Sequence, residues 1–300
     1  MSNPKYKNQV RLLLDVLPHV AKEECFALHG GTAINLFVRD MPRLSVDIDL
    51  TYLPMEGRQE TLGHIHEALG RIKKRVESAL PNAQVIDKSD IGKLLIRERG
   101  EEIKLEVNLV SRGSIAPPKR MILCDKAQST YDLSAVINVI PFGQLYGGKI
   151  CAALSRQHPR DLFDVKILLE NEEFSDEVRH GFLLCLLCSD KPISDMLAPN
   201  FHDQRQAMDN QFAGMSDVAF SYDDFEQTRL QLVNTIKKSL TKEDKAFLLS
   251  FKNCMPDWSI YDFEQFPAVQ WKLKNLQKLK ESSPEKHQRL YGLLERELAD

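Results

Sequence analysis

The amino-acid sequence predicts an α+β fold, in which a mixed α/β core over residues 1–141 is followed by an all-helical domain over residues 142–300. Short runs that alternate apolar and polar residues lie before residue 141 and are typical of half-buried strands. After that point apolar residues recur at helical spacing almost throughout. A chain of 300 residues, 43% apolar and 28% charged, is long enough for one large domain or two ordinary ones.

The composition excludes several other classes of protein. The apolar content is too high for a disordered chain, and 14 glycines and 14 prolines are too few for a fibrous one. No apolar run approaches the length of a transmembrane helix, and the residues after Met1 lack the apolar stretch of a secretory signal. Six irregularly placed cysteines do not suggest a disulfide scaffold. We therefore expect a soluble cytoplasmic protein without a membrane partner.

The front part contains four elements before residue 54. Apolar spacing predicts a helix over residues 5–22, which Pro18 should bend or end early. A short apolar strand over residues 25–28 stops at His29 and two glycines, and helical spacing resumes over residues 32–38. Strict alternation then predicts a half-buried strand over residues 45–53.

The remaining elements follow the same two periods. We expect a charged helix over residues 59–80, an antiparallel hairpin of strands 93–99 and 102–111, and a short strand over 135–140. Helical spacing then predicts seven helices, over residues 142–156, 161–170, 176–188, 223–240, 242–254, 268–280 and 285–298. Capping signals at Ser221, Thr241 and Ser283 support three of their starts.

A diglycine turn at the first strand-to-helix junction is the first candidate binding feature. Gly30 and Gly31 would let backbone amides approach a phosphate, and the following helix adds a favourable dipole. Thr32 offers a hydroxyl donor beside them. Taken alone, such a pair of glycines is more often only a turn.

Two carboxylates follow on the polar face of the next strand. Asp47 and Asp49 are two residues apart, so both project from one face. Neighbouring carboxylates repel unless a cation lies between them, and hard oxygen ligands suit Mg²⁺ holding a triphosphate. Taken alone, such a pair of aspartates is usually only solvated charge. The diglycine turn and the aspartate pair in this order and at this spacing are far more specific.

A second metal would need a further carboxylate from a neighbouring strand. Glu106 is the candidate, because it shares the polar face of its strand with Lys104 and Asn108. An ordinary solvent-facing glutamate explains the same pattern nearly as well.

These motifs resemble those of the AbiEii/AbiGii-type nucleotidyltransferase toxins, which belong to the polymerase-β-like nucleotidyltransferase superfamily. The resemblance lies in Gly30-Gly31-Thr32 with Arg43-x-Ser45-x-Asp47-x-Asp49 and, further on, in Lys149 and Arg160-Asp161-x-x-Asp164. It covers roughly residues 26–170. It departs from the usual pattern at Glu106, where an aspartate is more common.

The resemblance implies a role for each of these residues. Asp47 and Asp49 would bind catalytic Mg²⁺, or Mn²⁺ in its place, with Glu106 as third ligand. A second set would bind the nucleotide, namely Gly30, Gly31, Thr32, Arg43, Ser45, Asp161 and Lys166. Lys149 would neutralise charge on the triphosphate, with Asp164 beside it in the catalytic set. The helical domain would complete the active-site cleft.

The residues of the second motif are consistent with that role. A lysine near the triphosphate would offset charge as pyrophosphate leaves. Asp161 and Asp164 lie three residues apart on one helix, so they share a face and could orient Lys149, Arg160 or the acceptor. The simpler alternative is a helix-capping Asp161 and a solvated Asp164.

The resemblance also implies the function. We expect the toxin of a toxin–antitoxin system, a magnesium-dependent enzyme that transfers a nucleoside monophosphate from an NTP to an RNA acceptor. The 3′ end of tRNA is the expected acceptor, translation and growth would be blocked, and a cognate antitoxin protein is the implied partner. Two alternatives stay open: a protein or small-molecule acceptor, or an NTP-binding protein without turnover.

Two other clusters have simpler explanations. The net charge of −3 argues against a protein that coats nucleic acid non-specifically, but Arg71 to Arg75 form a basic stretch that is either a solvated helix face or an RNA contact. Cys185 and Cys188 lie in an apolar helical run without a second pair, which favours buried thiols over zinc or redox chemistry.

Overall fold

The computed structural model describes residues 3–299 of the chain. These residues form two compact units. The first unit consists of Met1–Pro141 together with Asp209–Ala219, and the second of Phe142–Met208 together with Phe220–Asp300. The short segment Asp209–Ala219 thus returns to the first unit from within the sequence of the second.

A seven-stranded mixed sheet forms the centre of the first unit, which confirms the α+β fold class. Its spatial order is β3-β4-β5-β2-β1-β7-β6. Strand β2 pairs antiparallel with β1 and parallel with β5, and the predicted hairpin of β4 and β5 is antiparallel. The strands are β1 (Phe26–His29), β2 (Asp47–Tyr52), β3 (Gln84–Lys88), β4 (Lys93–Glu98), β5 (Glu101–Asn108), β6 (Lys119–Ile122) and β7 (Val136–Val139).

Four helices accompany this sheet. They are α1 (Pro4–Val20), α2 (Gly30–Ala33), α3 (Arg58–Ala79) and α4 (Asp125–Tyr131), and α2 continues as a π-helical turn over Ile34–Val38. Helix α1 packs against β5, and α3 packs against β3 and β4. The core between them contains the apolar side chains that alternate along the strands, among them Leu94, Leu105 and Ile48, none of which is measurably exposed. The opposite positions of β2, β4 and β5 carry polar residues, except for Leu95 of β4.

The second unit is helical in all the elements that the structure describes for it. They are α5 (Phe142–Arg156), α6 (Pro159–Asn171), α7 (Asp176–Cys188), α8 (Ile193–Leu197), α9 (Arg205–Ala207), α10 (Tyr222–Ser239), α11 (Lys242–Lys252), α12 (Pro267–Ser282) and α13 (Pro284–Ala299). Complete capping boxes start α10 at Ser221 and α11 at Thr241, as their sequences predict. Of the helices within residues 3–299, none is long and apolar enough to cross a bilayer.

Three glycines bring α5 and α7 into backbone contact. A Cβ atom at Gly147 would lie 2.3 Å from the carbonyl carbon of Gly181, and one at Gly143 would lie 2.1 Å from the carbonyl oxygen of Glu177. Real Cβ atoms do not approach backbone so closely, so neither helix can carry a side chain at these positions. The adjacent Gly148 is exposed, and a Cβ there would meet only Cys185 Sγ, at 3.9 Å.

The sequence missed several elements. Strands β3 and β6, and helices α4, α8 and α9, were not predicted. Pro18 lies in the last turn of α1, which ends at Val20, before the predicted end at residue 22. Both missed strands lie at the edges of the sheet, where few side chains are buried and the alternation is weak.

The close contact between α5 and α7 gives a matched pair of variants. Replacing Gly147 with alanine should lower the free energy of unfolding by about 3 kcal/mol or more, because the new methyl group forces two backbones apart. Replacing Gly148 with alanine should leave it unchanged or raise it by up to about 1 kcal/mol, as for an exposed helical glycine. Urea unfolding followed by circular dichroism measures both. Equal stability of the two variants would contradict this account of the helix contact.

Candidate active site

The diglycine turn touches the strand that carries the aspartate pair. Gly30 has a φ of +73°, a conformation that L side chains rarely adopt, and it lies at the junction of β1 and α2. A Cβ atom at this position would lie 2.5 Å from Asp49 Oδ2. Only glycine therefore fits both the backbone conformation and the space beside the carboxylate.

Two buried hydroxyls fix the turn to the start of β2. The Thr32 hydroxyl lies 3.0 Å from Ser45 Oγ and donates to the backbone carbonyl of Asp47. A hydroxyl has one proton and a carbonyl can only accept, so Ser45 must donate to Thr32 when Thr32 donates to Asp47. Thr32 is fully buried and Ser45 nearly so. Both residues thus hold the turn against the strand.

Arg43 completes the connection between the turn and the strand. It is 3% exposed, donates from Nη1 to the carbonyl of Leu44 and lies so near Gly31 that a Cβ there would be 2.8 Å from its Nη2. The returning segment Asp209–Ala219 pairs with this stretch, since the Leu44 amide donates to the Met215 carbonyl at 2.7 Å. Nothing in the sequence pattern indicated that segment.

Strand register lines up four polar residues across the sheet. His29 pairs with Asp49, Asp49 with Glu106, and Glu106 with Lys93, so one row runs from β1 through β2 and β5 to β4. Paired residues of neighbouring strands point to the same face. Asp47 pairs in the same way with Lys104. The sequence brings Glu106 beside the aspartates as predicted, but it also brings two lysines that were not predicted as site residues.

Both carboxylate oxygens of Glu106 are held by lysines. Lys93 Nζ lies 3.0 Å from Oε1, and Lys104 Nζ lies 3.0 Å from Oε2. Burial acts to raise the pKa of Glu106, but the two lysines outweigh it and the pKa is lowered. Burial likewise acts to lower the pKa of Lys104, yet Glu106, Asp47 and Asp49 together raise it. Lys104 therefore lies within the field of all three carboxylates.

The aspartate pair fits a divalent cation better than the full set of three acids does. Asp47 and Asp49 are half-buried on one face and provide the hard oxygen donors that Mg²⁺ prefers. Both oxygens of Glu106 are already in ion pairs with lysines. Among residues 3–299, no three His, Cys, Asp or Glu side chains are grouped so as to hold a metal ion. Two carboxylates suffice where phosphates and waters supply the other ligands, as is common for Mg²⁺.

A second ionic cluster is buried within the helical unit. Lys149 Nζ lies 2.9 Å from Asp161 Oδ1 and 3.0 Å from Asp164 Oδ2, and all three side chains are less than a tenth exposed. Arg156 reaches Asp161 as well, at 2.9 Å. Burial acts to raise the pKa of Asp161, but Lys149 and Arg156 lower it to about 2.

This cluster decides between the two explanations of the second motif. Asp161 does not cap α6: the capping residue is His158, whose Nδ1 accepts from the Arg160 amide at 3.1 Å. Asp164 is 1% exposed rather than solvated. The shared helix face that the spacing predicts therefore exists, and it orients Lys149. Lys166, placed with the nucleotide-binding residues, forms an ion pair with Glu170 one turn further along α6.

Comparison with known proteins agrees with this geometry. The model of one family, the nucleotidyl transferase AbiEii toxins of type IV toxin–antitoxin systems, matches residues 11–275. The chain belongs to the AbiEii family. It is thus a nucleotidyltransferase toxin of a type IV toxin–antitoxin system, which confirms the resemblance seen in the sequence.

A solved structure is similar over nearly the whole chain. MenT4, the nucleotidyltransferase toxin Rv2826c from Mycobacterium tuberculosis H37Rv, superposes with a TM-score of 0.63 at 12% identity. The match covers 91% of this AbiEii chain and 95% of MenT4. At so low an identity the similarity concerns the fold alone. No curated protein sequence matches the chain.

The basic stretch of the AbiEii chain has a structural role that the sequence did not indicate. Arg71 and Arg75 on α3 both form ion pairs with Glu23, which is 7% exposed in the loop between α1 and β1. These ion pairs decide neither explanation from the sequence, a solvated face or an RNA contact, since the Arg71 side chain is still 51% exposed. They attach α3 to the start of the sheet.

The buried cluster of the AbiEii chain gives a pH-dependent stability. A pKa of Asp161 lowered from 3.8 to about 2 corresponds to about 2 kcal/mol of stability. Because the folded-state pKa is the lower one, this contribution is complete above about pH 4 and is lost as the pH falls toward 2. The free energy of unfolding of Asp161→Asn should therefore fall less over that pH range than that of the wild type. Urea unfolding at several pH values measures the difference. Parallel curves for the variant and the wild type would contradict the assignment.

Proposed function

We propose that this toxin transfers a nucleoside monophosphate from an NTP to an RNA acceptor, the 3′ end of tRNA, and thereby blocks translation and growth. The observation that carries the proposal is the contact between Gly30 and Asp49. A turn suited to phosphate and a carboxylate pair suited to a cation lie close enough to share one metal-bound polyphosphate.

The aspartate pair and the diglycine turn would bind different parts of the metal–nucleotide complex. Asp47 and Asp49 would hold Mg²⁺, or Mn²⁺ in its place, and the bound ion would supply a Lewis acid for the phosphate oxygens. Gly30 and Gly31 would receive the triphosphate. Thr32, Ser45 and Arg43 would act mainly by keeping the turn against β2, given their burial and hydrogen bonds.

The reaction itself needs positioning and charge compensation. A hydroxyl oxygen of the acceptor attacks the α-phosphorus, a new P–O bond forms, and the bond to the β-phosphate oxygen breaks as pyrophosphate leaves. The hydroxyl proton passes to water or to a nearby base. No covalent intermediate with the protein is required.

Several assignments of the resemblance stay predictions. Lys149 would neutralise charge on the triphosphate, and Asp161 and Asp164, which hold its ammonium group, would position it for that task. The same group of predictions includes binding of nucleotide by Lys166 and completion of the cleft by the second unit. It also includes a cytoplasmic location and neutralisation by a cognate antitoxin protein.

The decisive variant is Asp47→Ala. Loss of a metal ligand should reduce transfer of label from α-labelled NTPs by at least about a thousandfold and abolish growth inhibition, because several kcal/mol of transition-state stabilisation are removed. Each NTP is incubated with total RNA, total protein or a metabolite fraction, and the labelled acceptor is identified.

Asp90→Ala is the matched control, since Asp90 is an exposed carboxylate of the same unit, in the turn before β4. It should keep wild-type transfer and toxicity. Retained toxicity of Asp47→Ala at equal expression would reject the mechanism. Label in protein or metabolites instead of RNA would favour the other acceptors, and NTP binding without any transfer would favour a protein that lacks turnover.

A further inference from the structure

Within the sheet, the aspartate pair of β2 has β1 and the diglycine turn on one side and strands β5 and β4 on the other. On the β1 side, Gly30 touches Asp49. On the other side, Glu106 of β5 and then Lys93 of β4 continue the same row, with Lys104 beside Asp47. The pair thus separates the diglycine turn from two lysines. If the triphosphate occupies the side of the turn and pyrophosphate leaves there, an acceptor on the side of the lysines is suited to in-line attack, because the attacking and leaving groups lie on opposite sides of the phosphorus.

Taken apart from Asp47 and Asp49, the lysine side carries a net positive charge. Lys93 and Lys104 come from different strands and converge on one carboxylate, so the three groups carry a formal charge of +1. An ammonium group has three donors, and the ion pair with Glu106 uses one of them. Both lysine side chains are about one third exposed, at 33% and 37%, so they remain accessible to a ligand.

We propose that Lys93 and Lys104 form a subsite for a phosphodiester group of the RNA acceptor, next to the attacking hydroxyl. Glu106 is the positioning residue of this subsite, which holds the two ammonium groups in place, rather than a third metal ligand. The inference rests on the proposed function and adds to it the residues that recognise the acceptor. A phosphodiester is the chemistry that two adjacent ammonium groups select, since each phosphate carries one negative charge and two acceptor oxygens.

The arrangement also explains why Glu106 lies beside two aspartates at all. A third carboxylate alone would add repulsion to the row. With both lysines it forms ion pairs that offset that repulsion.

RNA binding without nucleotide tests the subsite directly. Fluorescence anisotropy of a short labelled single-stranded RNA with a free 3′ hydroxyl is measured against salt concentration for Lys93→Met, Lys104→Met and the double variant. Each substitution should weaken binding about four- to fivefold at physiological salt and reduce the slope of log affinity against log salt by about one. The KM for the NTP should change less than about twofold.

Lys7→Met serves as the control for charge, because Lys7 is an exposed lysine of the same unit on α1. It should leave RNA affinity unchanged. Urea unfolding of each variant establishes that the fold is intact. RNA affinity of the double variant within twofold of wild type, or a raised KM for the NTP with unchanged RNA binding, would overturn the proposal.

Glu106→Gln separates positioning from metal binding. Binding of Mn²⁺, followed by electron paramagnetic resonance, should stay within about twofold of wild type, while kcat of transfer falls and RNA affinity is kept. A tenfold loss of Mn²⁺ affinity would show instead that Glu106 is a metal ligand. Transfer of label only to protein or metabolites would also reject an RNA subsite. Absence of transfer by the wild type from every NTP would refute the proposed function, whereas the RNA-binding series would still decide the subsite on its own.

Discussion

The register of strand β2 against its two neighbours is the constraint on which the site depends. Side chains alternate along a strand, so a slip by one residue would turn Ile48 and Leu50 toward the polar face and bury Asp47 and Asp49 in the core. The fully buried apolar side chains of β2 and β5 oppose such a slip, because exposing them would cost several kcal/mol. The core of the first unit thereby fixes which charged groups meet, and it places Lys93 and Lys104 next to the carboxylates of Glu106 and Asp47.

The helical unit also holds charged side chains in fixed positions, but it does so by burying them together. Its buried cluster removes charge from water, which is tolerable only when opposite charges and hydrogen bonds compensate for lost hydration. Asp161 has two cationic partners and Lys149 has two anionic ones, so neither of these two depends on a single contact. Lys149 lies one turn or less from Gly147, where α5 meets the backbone of α7. The helix that carries the lysine is thus held in position by close packing, which restricts where its ammonium group can lie.

Much of this organisation could be predicted from local sequence. The alternation around Ile48 predicted β2 and the face of its aspartates, and the spacing of Asp161 and Asp164 predicted a common partner. The edge strand β6 could not be predicted, because Lys119 and Arg120 are exposed and leave no apolar period. The ion pairs of Glu106 also escaped prediction. Lys104 lies on the same strand as Glu106, so the sequence shows that the two are close. Lys93 becomes a neighbour of Glu106 only through the antiparallel register of β4 with β5. Contacts between distant segments, such as Leu44 with Met215, leave no local signal.

The returning segment Asp209–Ala219 has a consequence for how the protein is made. It contributes backbone hydrogen bonds to Leu44 and Asn3, so part of the N-terminal unit comes from a stretch about 170 residues later in the chain. A ribosome must therefore have synthesised residue 219 before the N-terminal unit can acquire its full set of contacts. Bringing such distant segments together costs entropy and slows folding. Arg43, buried beside the diglycine turn, thus receives its last neighbours late in biosynthesis, well after the strand that carries the aspartates has left the ribosome.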